Sequence, residues 1–115
     1  MYEYKGVIIR VVDGDTYDIQ IDLGFNTFKE ERFRLKGIDT PETWRPSCEK
    51  ELMHGMKATQ FVKDLIEDED IIITTSKSSA GIYGRYECSI KLEDGRDLVE
   101  VLKENGFEKL ENYGE

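Results

Sequence analysis

Apolar and polar residues alternate along the first third of the chain. Residues 5–12 are dominated by Val7, Ile8, Ile9, Val11 and Val12, and this β-branched run predicts a strand with little exposed face. Asp13 and Gly14 follow as a hairpin turn signal. Tyr17, Ile19, Ile21 and Leu23 then alternate with Asp18, Gln20 and Asp22, the period of a half-buried second strand. Gly24, Phe25 and Asn26 turn the chain again. In the third strand Phe33 and Leu35 share one face, Arg34 and Lys36 the other, and Ile38 ends the run. Pro41 holds Thr40 extended and stops a regular ladder. Three such strands on short turns make a meander.

The period changes after a loop, residues 43–49, that carries Trp44 and Pro46. Ala58, Phe61, Val62, Leu65 and Ile66 keep the spacing of one apolar helix face and predict a helix over 50–67. Gly55 weakens its first half by about 1 kcal/mol relative to alanine. Residues 71–75 read as a fourth strand, and the polar loop 76–82 is expected to be mobile. A fifth strand is predicted over 83–92, with Tyr86, Cys88, Ile90 and Leu92 on one face. A short helix starts near Asp97, a capping residue with Glu100 three positions on. It turns Leu98, Val101 and Leu102 inward and stops at Asn105 and Gly106. From residue 107 the chain is acidic and poorly patterned. Five strands with a helix between the third and fourth is the order of an OB-fold barrel, mainly β with helices. An open α+β sheet has the same order, and pattern alone leaves closure undecided.

The 115 residues make one domain, 1–115, with 38% hydrophobic residues for a single core. No apolar run is long enough to span a bilayer. The N-terminus lacks a basic segment followed by an apolar one, so a cytoplasmic protein is expected, and a monomer. Cys88 reads as a small buried hydrophobe; Cys48 sits in a polar loop, and a disulfide is not implied. Cys48 and His54, the single histidine, are too few for a structural zinc site, and His54 reads as a surface helix residue. The net charge of −9 argues against nucleic-acid binding by electrostatics alone. It leaves room for a nuclease that grips its substrate with a few arginines and a divalent cation. Cations do gather locally, at Lys29, Arg32, Arg34 and Lys36.

Three segments carry candidate chemistry: 13–16 at the first hairpin, 39–42 after the third strand, and 83–85 at the start of the fifth. Within nine residues Arg34, Asp39, Glu42 and the Thr40 carbonyl supply a guanidinium, two carboxylates and a backbone oxygen, parts suited to a hard cation beside a phosphate. Each part also has a plain reading. Asp13 fixes a turn, Asp15 belongs to the same turn, and Arg34 pairs with a surface acid for little energy. Arg85 is an exposed strand-end cation, and Tyr83 and Tyr113 are partly core.

The phrases Val12-Asp13-Gly14-Asp15-Thr16, Phe33-Arg34-Leu35 with Asp39-Thr40-Pro41-Glu42-Thr43, and Tyr83-Gly84-Arg85 resemble the staphylococcal nuclease family in order and spacing. The resemblance implies a calcium-dependent nuclease on an OB-fold barrel, cleaving DNA or RNA at the 5′ P–O bond to leave 3′-phosphates. It assigns Asp15, Asp39 and the Thr40 carbonyl to the metal, Glu42 to the attacking water, and Arg34 and Arg85 to the phosphate. Tyr83 and Tyr113 would contact substrate. The chain departs from that pattern at Ile82, where relatives often carry lysine, in its shorter C-terminus, and in its acidic charge. The competing expectation is a non-catalytic OB module that binds single strands or a protein partner; a calcium-binding structural domain would explain the aspartates and not the arginines.

Overall fold

The computed structural model describes residues 2–75 and 86–113. In chain order the elements are β1 (Tyr2–Asp13), β2 (Thr16–Asp22), β3 (Phe28–Leu35), α1 (Glu49–Ile66), β4 (Asp70–Thr75), β5 (Tyr86–Leu92) and α2 (Leu98–Glu104). The strands close into a barrel in the order β1-β2-β3-β5-β4, the expected five-stranded OB-fold architecture. Among the described residues β3 and β5 alone pair in parallel, and the other ladders are antiparallel. The loop over 76–82, the expected first residues of the fifth strand, Ile82, Tyr83 and Arg85 lie outside the described residues.

Closure depends on the length of β1. Its first half pairs with β4, from Tyr2 opposite Thr75 to Val7 opposite Asp70. From Lys5 opposite Asp22 to Asp13 opposite Thr16 it pairs with β2, so residues 5–7 belong to both ladders. Register shifts between Ile8 and Arg10, and between Val11 and Asp13, bend the strand along its β2 ladder, beyond the part paired with β4. The bend corrects the sequence expectation for this strand. Ile8 and Val11 are buried, yet Ile9 between them is 39% exposed, so β1 does have an outer face.

Tyr17, Ile19 and Ile21 fill the barrel as their alternation requires, while Leu23, past the end of β2, is exposed. Cys88 and Ile90 of β5 face the same core, and both cysteines are free. Ala58, Val62 and Ile66 of α1 are buried, with Phe61 and Leu65 partly so. Leu98, Val101 and Leu102 of α2 are buried as the pattern predicts. The Asp97 side chain accepts from the Val99 N–H and caps α2, worth about 1 kcal/mol.

Residues 107–113 lie against α1. Phe107 packs against Phe61 with the rings tilted and 5.0 Å between centroids, and its N–H donates to the Leu102 carbonyl. His54 departs from the surface role expected of it. Its Nε2 faces the Gly106 carbonyl at 2.7 Å, which requires a proton on that nitrogen, so in the neutral ring Nδ1 accepts from the Tyr113 hydroxyl at 2.8 Å. Among the described residues no helix is long and apolar enough to cross a membrane.

Candidate active site

The β2–β3 ladder sets Arg34 opposite Thr16, and so beside Asp15 at the hairpin. The Leu35 N–H donates to the Asp15 carbonyl, which fixes the hairpin against the end of β3. From there the Arg34 guanidinium bridges two carboxylates. Its Nη2 lies 3.6 Å from Asp15 Oδ2 and in direct contact with Asp39 Oδ1. Its Nη1 reaches Glu87 Oε2 of β5 at 3.9 Å. Asp15 is nearly enclosed, and it is held by the Thr40 N–H on Oδ2 and the Thr16 hydroxyl on Oδ1. The Asp39 side chain is 70% exposed, open to a ligand. Arg34, Gly37, Ile38 and Asp39 form one wall of an open groove of about 510 Å³, and residues 108–111 of the tail form the other.

Two glycines let the backbone come this close. A Cβ on Gly14 would lie 2.7 Å from the Thr40 hydroxyl, so the hairpin seats against the 39–42 turn only with glycine there. The Thr40 hydroxyl itself is buried with no hydrogen-bond partner among the described residues. A Cβ on Gly55 of α1 would lie 2.7 Å from the Pro41 carbonyl oxygen and 3.0 Å from that of Glu42. Helix propensity alone favours Gly55→Ala by about 1 kcal/mol. Overpacking against rigid backbone costs about 1–3 kcal/mol and wins. Gly55→Ala is therefore expected to lower the melting temperature and displace the turn; a more stable variant would show that the turn yields freely.

Glu42 sits beside this cluster, half-buried. Burial, with the nearby Asp13 and Asp15 charges, holds its carboxyl above the ordinary range. Burial does the same for Asp13, against the opposing effect of its hydrogen bonds. Asp13 does more than fix a hairpin. Its Oδ1 accepts from the Thr43 hydroxyl at 3.0 Å and the Thr59 hydroxyl at 3.4 Å, joining the hairpin to the loop after Glu42 and to α1. Of the four clustered cations, Arg32 pairs with Asp18 and Lys29 with Glu31.

Thus Asp15, Arg34, Asp39, Thr40 and Glu42 come together from the hairpin, β3 and the following turn. Arg85 and Tyr83 lie outside the described residues. The Tyr113 hydroxyl is engaged by His54 and the Leu110 N–H. Among the described residues no three His, Cys, Asp or Glu side chains cluster closely enough to hold a metal ion.

Sequence reasoning missed Glu51. Its side chain is 1% exposed, and it accepts from the Ser47 N–H and hydroxyl, the Glu42 N–H and the Lys109 ammonium. These donors, the Ser47 N–H foremost, bring its carboxyl down to about 2 from an ordinary 4.5. The signal was present: Glu51, Gly55, Ala58, Val62 and Ile66 continue one helical face. A carboxylate depressed on folding stabilises the fold above its unfolded pKa and loses that contribution as pH falls through the folded one. The gap in melting temperature between the unaltered chain and Glu51→Gln is expected to be full above pH 4.5 and to close toward about pH 2. A gap constant over that window would show that Glu51 is not held as the anion.

The staphylococcal nuclease homologue family profile matches residues 32–114. The thermonuclease of Staphylococcus intermedius is 32% identical over 98 residues, covering 85% of this chain and 55% of that protein. The thermonuclease of Staphylococcus hyicus is 29% identical over 107 residues, covering 92% and 59%. Endonuclease YhcR of Bacillus subtilis (strain 168) is 29% identical over 110 residues, covering 91% of this chain and 9% of that protein. The chain thus spans less than two thirds of the length of each.

Proposed function

The chain belongs to the staphylococcal nuclease homologue family, and on that footing we propose that it is a calcium-dependent nuclease acting on DNA, RNA or both. The observation that carries this reading is the Arg34 guanidinium bridging Asp15 and Asp39 at the edge of an open groove. A binding module has no need to hold two carboxylates around one cation beside a third carboxylate kept above its ordinary pKa.

The donor set fits calcium, which takes hard oxygen ligands in a tolerant geometry. Asp15, Asp39 and the Thr40 carbonyl would hold the ion, with water completing the shell. The guanidinium between the two carboxylates marks a place where positive charge is already stabilised. When bound, the ion supplies Lewis-acid stabilisation of charge on the phosphoryl oxygens. Arg34, turned from Asp39 toward the substrate, matches two phosphate oxygens with its planar fork and remains charged throughout. We assign the second guanidinium to Arg85. Glu42 orients a water and accepts its proton as the oxygen bonds to phosphorus. The bond from phosphorus to the 5′ oxygen breaks, and that oxygen takes up a proton from solvent, leaving a 3′-phosphate and a 5′-hydroxyl. Tyr83 is assigned to base stacking; Tyr113, with its hydroxyl engaged, offers only its ring.

Digestion of plasmid DNA and of single-stranded RNA, with calcium and with excess chelator, tests the reading. Cleavage is expected with calcium and is expected to stop on chelation. Undiminished cleavage in excess chelator would remove the metal from the mechanism. Binding of single strands without cleavage would favour the non-catalytic OB module instead.

A further inference from the structure

Glu42 projects from a turn that has no regular ladder to hold it, since Pro41 precedes it and α1 begins only at Glu49. A base on such a turn needs an outside support, because misplacing a reacting group by about 1 Å costs as much as 10²-fold in rate. The turn is held from two sides. From α1, Glu51 Oε2 accepts the Glu42 N–H at 3.1 Å, while Oε1 accepts the Ser47 N–H and hydroxyl, each at 2.7 Å. One carboxylate therefore ties both ends of the loop that runs from Glu42 to the start of the helix. From the tail, the Lys109 N–H donates to the Asp39 carbonyl at 2.7 Å, and its Nζ lies 3.3 Å from Glu51 Oε2.

We propose that Glu51, seconded by Lys109, is a positioning residue that fixes the backbone of Glu42 for catalysis. The inference rests on the nuclease reading for its consequence in rate, and on geometry alone for its consequence in structure. A plain alternative exists. Glu51 is the third residue of α1 and reaches back to Ser47, as a helix-capping glutamate does. A cap alone would affect stability and leave the rate of the folded protein untouched.

Glu51→Gln and Glu51→Leu in the full chain separate the two roles. Gln keeps one acceptor oxygen at nearly the same volume; Leu keeps none. Both are measured for amide hydrogen exchange at Glu42 and Ser47, and for kcat and KM on a single-stranded DNA oligonucleotide with calcium, at a temperature where each is folded. Exchange at Glu42 is expected to speed up, more for Leu than for Gln. Over the same pair kcat is expected to fall by about tenfold to 10²-fold, with KM within about twofold. Unchanged exchange at Glu42, or a folded variant with unaltered kcat, would reduce Glu51 to a helix cap. If Leu does not fold, the Gln variant decides. If the unaltered chain cleaves nothing, the nuclease reading falls, and exchange at Glu42 alone upholds or overturns the brace.

Discussion

Glu42→Gln is expected to lower kcat by about 10²–10⁴-fold, with KM and melting temperature close to those of the unaltered chain. The size follows from the role. A positioned carboxylate removes a proton from water as that water becomes nucleophilic, and an amide of the same shape cannot. The stability expectation follows from the structure, where the contact that anchors Glu42 is made by its backbone N–H to Glu51 and survives the change. The Glu42 carboxyl is held above the ordinary carboxylate range by burial and by Asp13 and Asp15, so neutralising it relieves repulsion. Single-turnover rates on a calcium-loaded oligonucleotide complex, beside a thermal melt, check both halves. Wild-type turnover in a folded Glu42→Gln protein would move the base elsewhere.

Arg34→Ala is expected to cost about 10²–10³-fold in kcat, the scale for losing one charge-stabilising donor. Arg34→Lys is expected to recover little, because an ammonium cannot offer two parallel donors to a phosphate. Folding is expected to survive in both. Asp15 keeps the Thr40 N–H and the Thr16 hydroxyl, and Asp39 is exposed to water. Removing the guanidinium also frees both carboxylates, so calcium affinity is expected to hold or rise while turnover falls. Calorimetric titration of calcium into Arg34→Ala, paired with the rate assay, separates these effects. Near-normal turnover in Arg34→Lys would reduce the side chain to a point charge.

Much of this site was legible in order along the chain. The alternation over 17–21 and 33–35 matches the buried faces of β2 and β3, and with the turn signals it sets which residues fall at strand ends. Asp15 and Arg34 are such residues, Asp39 stands in the turn beyond β3, and the structure brings the three together. Gly55 was legible only as a weak point in a helix, since propensity registers the missing side chain and not the Pro41 and Glu42 carbonyls packed against it. Glu51 was passed over because a charged residue near a helix start is usually solvated.

The period of apolar residues, set by how each backbone form points its side chains, determined the elements, their order and the inward faces. Barrel closure was not contained in that period. It came from β1 belonging to two ladders, a matter of register between segments distant in sequence. The support beneath Glu42 was likewise decided only in three dimensions, because a carboxylate on a helix, an ammonium in the tail and an amide on a turn have no local pattern in common.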